Sequence, residues 1–200
     1  MIVVGVAGKY CTGKSTVSDL LAEHGYAVID VDRTGHEALA REAEAVVEAF
    51  GDEVRQADGS VDRRTLGRIV FADEQKLRRL ESIVHPAMVE MVADEVERIR
   101  AGVDRRPVPP GIVINAAILF RMKLHPLCDE IVYVTAPFLQ IVRRARERDG
   151  AGLLEVIRRL RSQRDVDPQF SAPNADTHSV ENDGDREHLR SQLEQFLPLP

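Results

Sequence analysis

Two hundred residues, 44% of them apolar and 30% charged, are enough to bury one shared core, and they fit neither a disordered nor a membrane-spanning chain. A net charge of −6, with no apolar run long enough to cross a bilayer, argues against general affinity for nucleic acid or for anionic membrane. Cys11 and Cys128 are too few for a disulfide framework or a structural zinc site, and the N-terminus reads as a strand, not a signal peptide, so a cytoplasmic protein is expected.

In chain order, Ile2–Ala7 is a short β-branched run bounded by Gly8, the pattern of a fully buried strand. Lys14–His24 follows with Val17, Leu20 and Leu21 at helical spacing, and Gly25 stops it. Tyr26–Val31 reads as a second buried strand, and Thr34–Phe50 as one amphipathic helix. Helices are expected over Asp62–Phe71 and Glu74–Val84, with Pro86 breaking the chain before another long helix to about Arg100. Arg105–Pro110 is a proline-rich connector. Ile112–Ala116 and Glu130–Thr135 are the next strands, and Phe138–Arg148 and Leu153–Arg164 are arginine-rich helices. A polar stretch over Asp165–Asp176, a weak strand near His178–Glu181 and a helix over Asp185–Phe196 close the chain. Five strands with interleaved helices predict an α/β class, a three-layer sandwich around a parallel sheet with right-handed crossovers.

Gly8-Lys9-Tyr10-Cys11-Thr12-Gly13-Lys14-Ser15 matches G-x-x-x-x-G-K-[ST], between a buried strand and a helix. Two glycines let successive N–H groups turn inward around phosphate, and Lys14 supplies a charge for the β- and γ-phosphates. Ser15 offers a hydroxyl to Mg²⁺, and the helix that starts at Lys14, with Thr16 in its first turn, adds its dipole. An ATP- and Mg²⁺-binding P-loop NTPase fold is expected. Lys9 and Cys11 are unusual loop residues: either they tune nucleotide affinity or they are neutral variation. The Cys11 thiol beside phosphate-binding amides makes it a candidate reactive thiol that MgATP would shield.

Asp30-Val31-Asp32 stands where the second strand leaves the sheet, the edge at which ligands bind in open α/β sheets. A kinase needs a carboxylate to accept the proton of its nucleophile, and Asp32 is the candidate. Asp30, expected on the same strand face, is placed to hold a metal-bound water. Helix capping explains one of these acids but not both. Between Arg143 and Arg164 eight arginines face three acids: a solvated helix face or a site for a polyanion.

From these residues onward the sequence resembles the dephospho-coenzyme A kinases, nearly end to end. The phosphate loop is followed by Asp30-Val31-Asp32 and His36, then by Asp58, Gly59, Asp62, Arg63, Leu66, Val70 and Phe71. Leu80, Glu81, Ile83, His85 and Pro86 match the family's Leu-Glu-x-Ile-x-His-Pro element. Gln140 with Arg143 or Arg144 and then Arg148, Arg159 or Arg161 with Gln163, Ala175-Asp176, and Asn182-x-Gly184 follow in the family's order. Three places depart from it: the loop carries Lys9-Tyr10-Cys11-Thr12 instead of glycine-rich residues, Arg121 stands where an acid is usual, and the arginine spacing after Gln140 is shifted by one residue.

The resemblance implies transfer of the ATP γ-phosphate to the 3′-hydroxyl of dephospho-coenzyme A, the last step of coenzyme A synthesis. It implies Asp32, Lys14 and Arg148 as catalytic residues. ATP contacts would come from the loop Gly8–Thr16, Arg144 and Asn182, and acceptor contacts from Asp32, His36, Arg63 and His85. It divides the chain into a core (1–50, 110–137, 174–200), a helical acceptor-binding insertion (about 51–109) and an arginine-rich lid (about 138–173). Another small-molecule kinase of this fold, or a P-loop protein that binds ATP without transfer, is the competing reading.

Overall fold

The computed structural model describes residues 1–102, 107–163 and 176–199. The expected Arg164 end of the last lid helix, Arg105, and the polar stretch through Ala175 lie outside them.

The chain divides into two compact units, Met1–Asp30 with Val96–Pro200 and Val31–Glu95, so the segment expected as an insertion over 51–109 falls across both. The first unit is built on β1 (Ile2–Gly8), β2 (Ala27–Asp30), β3 (Gly111–Asn115), β4 (Glu130–Thr135) and β5 (Thr177–Glu181). Their order is β2-β3-β1-β4-β5, and all four pairings are parallel, as expected for an α/β P-loop sheet. Parallel strands put every carboxyl end on one edge, so Gly8, Asp30, Asn115, Thr135 and Glu181 end there together.

β1 is buried along almost its whole length because it lies in the middle of the sheet, which is why it reads as a continuous apolar run. Val4, Val6, Val113, Val132, Val134 and Val180 from four strands form one core with Val17, Leu20 and Leu21 of α1 (Lys14–Glu23). Its far side is closed by Leu189 and Leu193 of the C-terminal helix Arg186–Leu193. Asp185 caps that helix by accepting from the N–H groups of Glu187 and His188.

The second unit is helical. Val31–Arg41 is α2, Ala43–Phe50 is α3, Arg63–Phe71 is α4, and α5 starts at Glu74 and runs to Arg100. Two expectations are corrected here. The single helix expected over Thr34–Phe50 is two helices: at Glu42 the backbone leaves helical geometry (φ −94°, ψ 18°), and α2 and α3 bury different residues, Val31 and Ala38 against Val46 and Val47. Hydrophobic spacing runs across such a joint without registering it.

Pro86 does not break its helix, for α5 is continuous over 27 residues with Pro86 inside it. An interior proline costs about 3 kcal/mol through its missing N–H and its clash with the preceding turn. The buried side chains Val84, Ala87, Met88 and Val92 flank it, and full burial of such a side chain contributes about 1.5–3 kcal/mol. Packing outweighs the local penalty.

The remaining helices of the first unit are α6 (Phe138–Asp149) and α7 (Leu153–Ser162). They pack Ile141, Ala145, Ala151 and Val156 into a small second core, and Cys11 belongs to it.

Candidate functional site

The phosphate loop leaves the carboxyl end of β1 and enters α1 at Lys14. Gly13 takes a left-handed conformation (φ 94°, ψ 37°) at the N-cap of α1, so no side chain caps that helix, and no acidic residue lies in its first turn. Asp62 caps α4 and Asp185 caps the C-terminal helix, whereas α3, α6 and α7 also lack a side-chain cap. What sets α1 apart is the glycine-bounded loop before it and Lys14 at its start. The N-terminus of α1 is thus built to take an anion from outside the chain. That fits the triphosphate and magnesium expected from the motif: the loop amides and Lys14 would hold phosphate oxygens, and the exposed Ser15 would hold the cation.

The loop is supported from below by Asn182, which is almost fully buried just beyond β5. Its Nδ2 donates to the Thr12 carbonyl (3.2 Å), and its Oδ1 accepts from Arg144 Nη2 (2.9 Å). Arg144 Nη1 donates to the same Thr12 carbonyl (3.1 Å) and Nη2 to the Asn182 carbonyl (3.2 Å). Arg144 and Asn182, expected as nucleotide contacts, therefore join β5, α6 and the loop into one hydrogen-bonded unit. The Lys14 ammonium donates to the Gly8 and Lys9 carbonyls (2.9 and 3.2 Å), and Thr12 Oγ1 donates to the Lys9 carbonyl (2.9 Å).

A Cβ on Gly13 would lie 2.0 Å from Asn182 Nδ2. Gly13→Ala thus combines left-handed strain with expulsion of a buried, hydrogen-bonded side chain. We expect a loss of about 1–3 kcal/mol in urea unfolding, accompanied by weakened ATP binding. A wild-type unfolding midpoint would show that the support does not depend on this close approach.

Cys11 is corrected here. It was expected as an accessible thiol among the phosphate-binding amides; it adopts a left-handed backbone (φ 56°) and is buried, packed with Ile141, Ala145, Ala151 and Val156. It acts as a small core hydrophobe. For the other thiol, burial first, and the neighbouring Asp129 charge second, push Cys128 up to about 12.

Tyr10 ties the loop to both arginine-rich helices. Its ring lies under the guanidinium groups of Arg148 (5.1 Å from its centroid) and Arg159 (4.7 Å). Its hydroxyl donates to Asp149, and its backbone N–H donates to Gln163 Oε1 (2.7 Å). Asp149 also accepts from Arg148 Nε and Nη2 (both 3.0 Å) and from Arg159 Nη1 (3.2 Å). Arg159 is held again by Glu155 at 2.6 Å. The Arg148 hydrogen bonds first, and Tyr10 second, hold the Asp149 carboxyl well below the usual carboxylate range. Burial first, and Asp149 second, push the Tyr10 phenol up to about 12.

A carboxyl depressed below its unfolded value of 3.8 stabilises the fold above that pH and ceases to do so on acidification. A phenol raised from 10.0 to about 12 stabilises below pH 10 and ceases to do so as pH rises through its folded value. The two windows overlap across neutrality. The difference in melting temperature between the wild type and Tyr10→Phe should be flat from about pH 5 to about pH 9 and shrink above about pH 10. A step near pH 7 would contradict this.

Asp30 ends β2 at the carboxyl edge, in register with Asn115. Asp32 is not on the same strand face, as expected, but in the first turn of α2, since the chain turns helical at Val31. A carboxylate there complements the helix dipole and stays exposed to solvent.

Within the second unit His36 and Arg63 come together. They line a cavity of about 410 Å³ with Arg64, Gln56, Ser60 and Asp62. Asp62 is occupied by capping: its Oδ1 accepts from the Arg64 and Thr65 N–H groups and its Oδ2 from the Thr65 hydroxyl. The Thr65 hydroxyl in particular keeps that carboxyl below its ordinary value. His85, expected in the same pocket, is half-buried within α5 and does not line this cavity. Arg64 was missed by sequence reasoning. Its signal was present, because two arginines directly after a capping Asp oppose the helix dipole and suggest an anionic ligand.

Comparison with known proteins gives a consistent picture. The family model described as dephospho-CoA kinase matches residues 2–187. The dephospho-CoA kinase of Anaeromyxobacter dehalogenans is 36% identical over 200 residues, covering 98% of this chain and 91% of that one. That of Carboxydothermus hydrogenoformans is 32% identical, with 96% and 90% covered. Among solved structures, TT1252 from Thermus thermophilus superposes with a TM-score of 0.75 at 29% identity, with 98% of each chain covered.

Proposed function

The chain belongs to the dephospho-CoA kinase family, and we propose that it transfers the γ-phosphate of ATP to the 3′-hydroxyl of dephospho-CoA. The observation that carries this reading is the uncapped N-terminus of α1 behind a complete phosphate loop.

In this reading the loop amides and Lys14 hold the β- and γ-phosphates. Magnesium, when bound at Ser15, neutralises phosphate charge. The acceptor is held by His36, Arg63 and Arg64, whose positive charge suits its phosphate groups. His85 serves the same acceptor from α5. Asp32 accepts the hydroxyl proton while the oxygen attacks the γ-phosphorus and the bond to ADP breaks. Arg148 stabilises the charge that spreads over the phosphoryl oxygens in transit. Among the described residues no helix is long and apolar enough to cross a membrane, and we place the reaction in the cytoplasm.

A coupled ADP-release assay over a panel of hydroxyl acceptors tests the proposal. Release that depends on dephospho-CoA, with coenzyme A formed in equal amount, is the expected result. Release driven equally well by another nucleoside or sugar would move the acceptor assignment. Release with no acceptor dependence would overturn it.

A further inference from the structure

Tyr10 is a loop residue whose side chain the reading above leaves without a task, yet that side chain reaches both arginine-rich helices. One ring contacts two guanidinium groups that belong to different helices, Arg148 of α6 and Arg159 of α7. One carboxylate, Asp149, takes hydrogen bonds from the phenol and from both arginines. Two cations this close repel, and each arginine side chain loses rotamer freedom when fixed. The ring and the carboxylate offset both effects. The backbone of the same residue holds Gln163 (2.7 Å), one residue past the end of α7. Thus α6, α7 and the phosphate loop meet at a single side chain.

We propose that Tyr10 is a positioning residue: with Asp149 it clips Arg148 and Arg159 to the phosphate loop, so that both guanidinium groups are in place when phosphoryl transfer begins. The inference rests on the kinase reading for its catalytic consequence, but not for the clip itself. Tyr10 acts through the arginines and not on the nucleotide. Arginine contacts that strengthen in the transition state raise turnover more than they tighten ground-state binding.

The test compares Tyr10→Leu, which removes ring and hydroxyl, with Tyr10→Phe, which keeps the ring. Turnover in Tyr10→Leu should fall about tenfold, with the KM for ATP changed by less than about threefold, and Tyr10→Phe should recover most of the loss. Arg148→Ala should lower turnover too, and adding Tyr10→Leu to it should cost much less than tenfold, because the clipped group is already gone. Unchanged turnover in Tyr10→Leu, a loss confined to KM, or full multiplication of the two effects would each overturn the proposal.

Hydrogen exchange of the full-length protein provides a readout that needs no acceptor. Exchange across Leu153–Ser162 should rise in Tyr10→Leu relative to wild type, while exchange in β1 and β4 stays the same. If dephospho-CoA is not the acceptor, the wild type fails the turnover assay but the exchange difference persists. Identical exchange across α7 in the two proteins would overturn the clip whatever the acceptor is.

Discussion

Lys14→Ala is expected to lower phosphoryl transfer by about 10³-fold or more and to weaken ATP binding, while leaving the unfolding midpoint nearly unchanged. The Lys14 ammonium hydrogen-bonds two carbonyls of its own loop, Gly8 at 2.9 Å and Lys9 at 3.2 Å. An ammonium has three donors and a flexible stem, so it can pass from those carbonyls to phosphate oxygens without rearranging the backbone. Deleting it returns two carbonyls at a partly exposed loop to water, a change of about 1 kcal/mol at most. The cost in the reaction is larger. Removing one well-placed donor to a developing negative charge costs about 10²–10³-fold in rate, and Lys14 brings a full charge as well. Initial rates with saturating acceptor, calorimetric ATP titration and urea unfolding measure the three quantities separately. Near-wild-type turnover would remove Lys14, and the loop with it, from the chemistry. A collapsed unfolding midpoint would show that its carbonyl contacts hold the loop together.

The phosphate loop was legible because its chemistry needs fixed residue types at fixed spacing, and the same holds for β1, whose buried central position leaves an unbroken apolar run. Two helix starts were legible too: the helices expected from Asp62 and Asp185 begin one residue later, behind those acids, whose capping role the structure adds. What failed was whatever depends on packing. Pro86 lies in a continuous helix because flanking burial outweighs the loss of one hydrogen bond, and burial at that position cannot be read from a proline. The joint at Glu42 was invisible because both halves are amphipathic and helical. Cys11 was placed by its neighbours in sequence, whereas its positive φ and the apolar faces of α6 and α7 decide where its side chain goes.

The same limit applies to the site. Arg144 and Asn182 were singled out by type and order as nucleotide contacts, but their mutual hydrogen bonds across 38 residues, which make them a support for the loop, are a tertiary fact. The cluster of arginines was ambiguous as a charge count. Asp149 and Tyr10 hold two of those arginines, Arg148 and Arg159: an acid that had been counted only as a partial counter-charge, and an aromatic that had been named only as a residue of the loop. Charge alone does not separate a solvated helix face from a held one. The partners do, and they come from distant parts of the chain.

Asp32→Asn should leave ATP bound with less than about threefold change in affinity and lower transfer by about 10²–10⁴-fold, the usual contribution of a positioned general base. The substitution keeps size and hydrogen-bonding reach and removes only the charge and the basic lone pairs. Asp32 lies in the first turn of α2 and complements that helix's dipole, so the neutral side chain should also cost about 0.3–1 kcal/mol of stability. These two consequences separate the explanations. A dipole partner alone would give the small loss of stability with turnover intact. A magnesium ligand would lose nucleotide affinity, and the rate would fall with it. A base loses turnover and keeps affinity. Asp30→Asn is the necessary companion, because Asp30 ends β2 at the same carboxyl edge from which the phosphate loop emerges, two residues earlier in the chain. If Asp32→Asn turns over normally while Asp30→Asn does not, the proton acceptor is the residue on the sheet and not the one on the helix. If both variants transfer phosphate at the wild-type rate, neither acid is the base and the proposed mechanism fails at its first step.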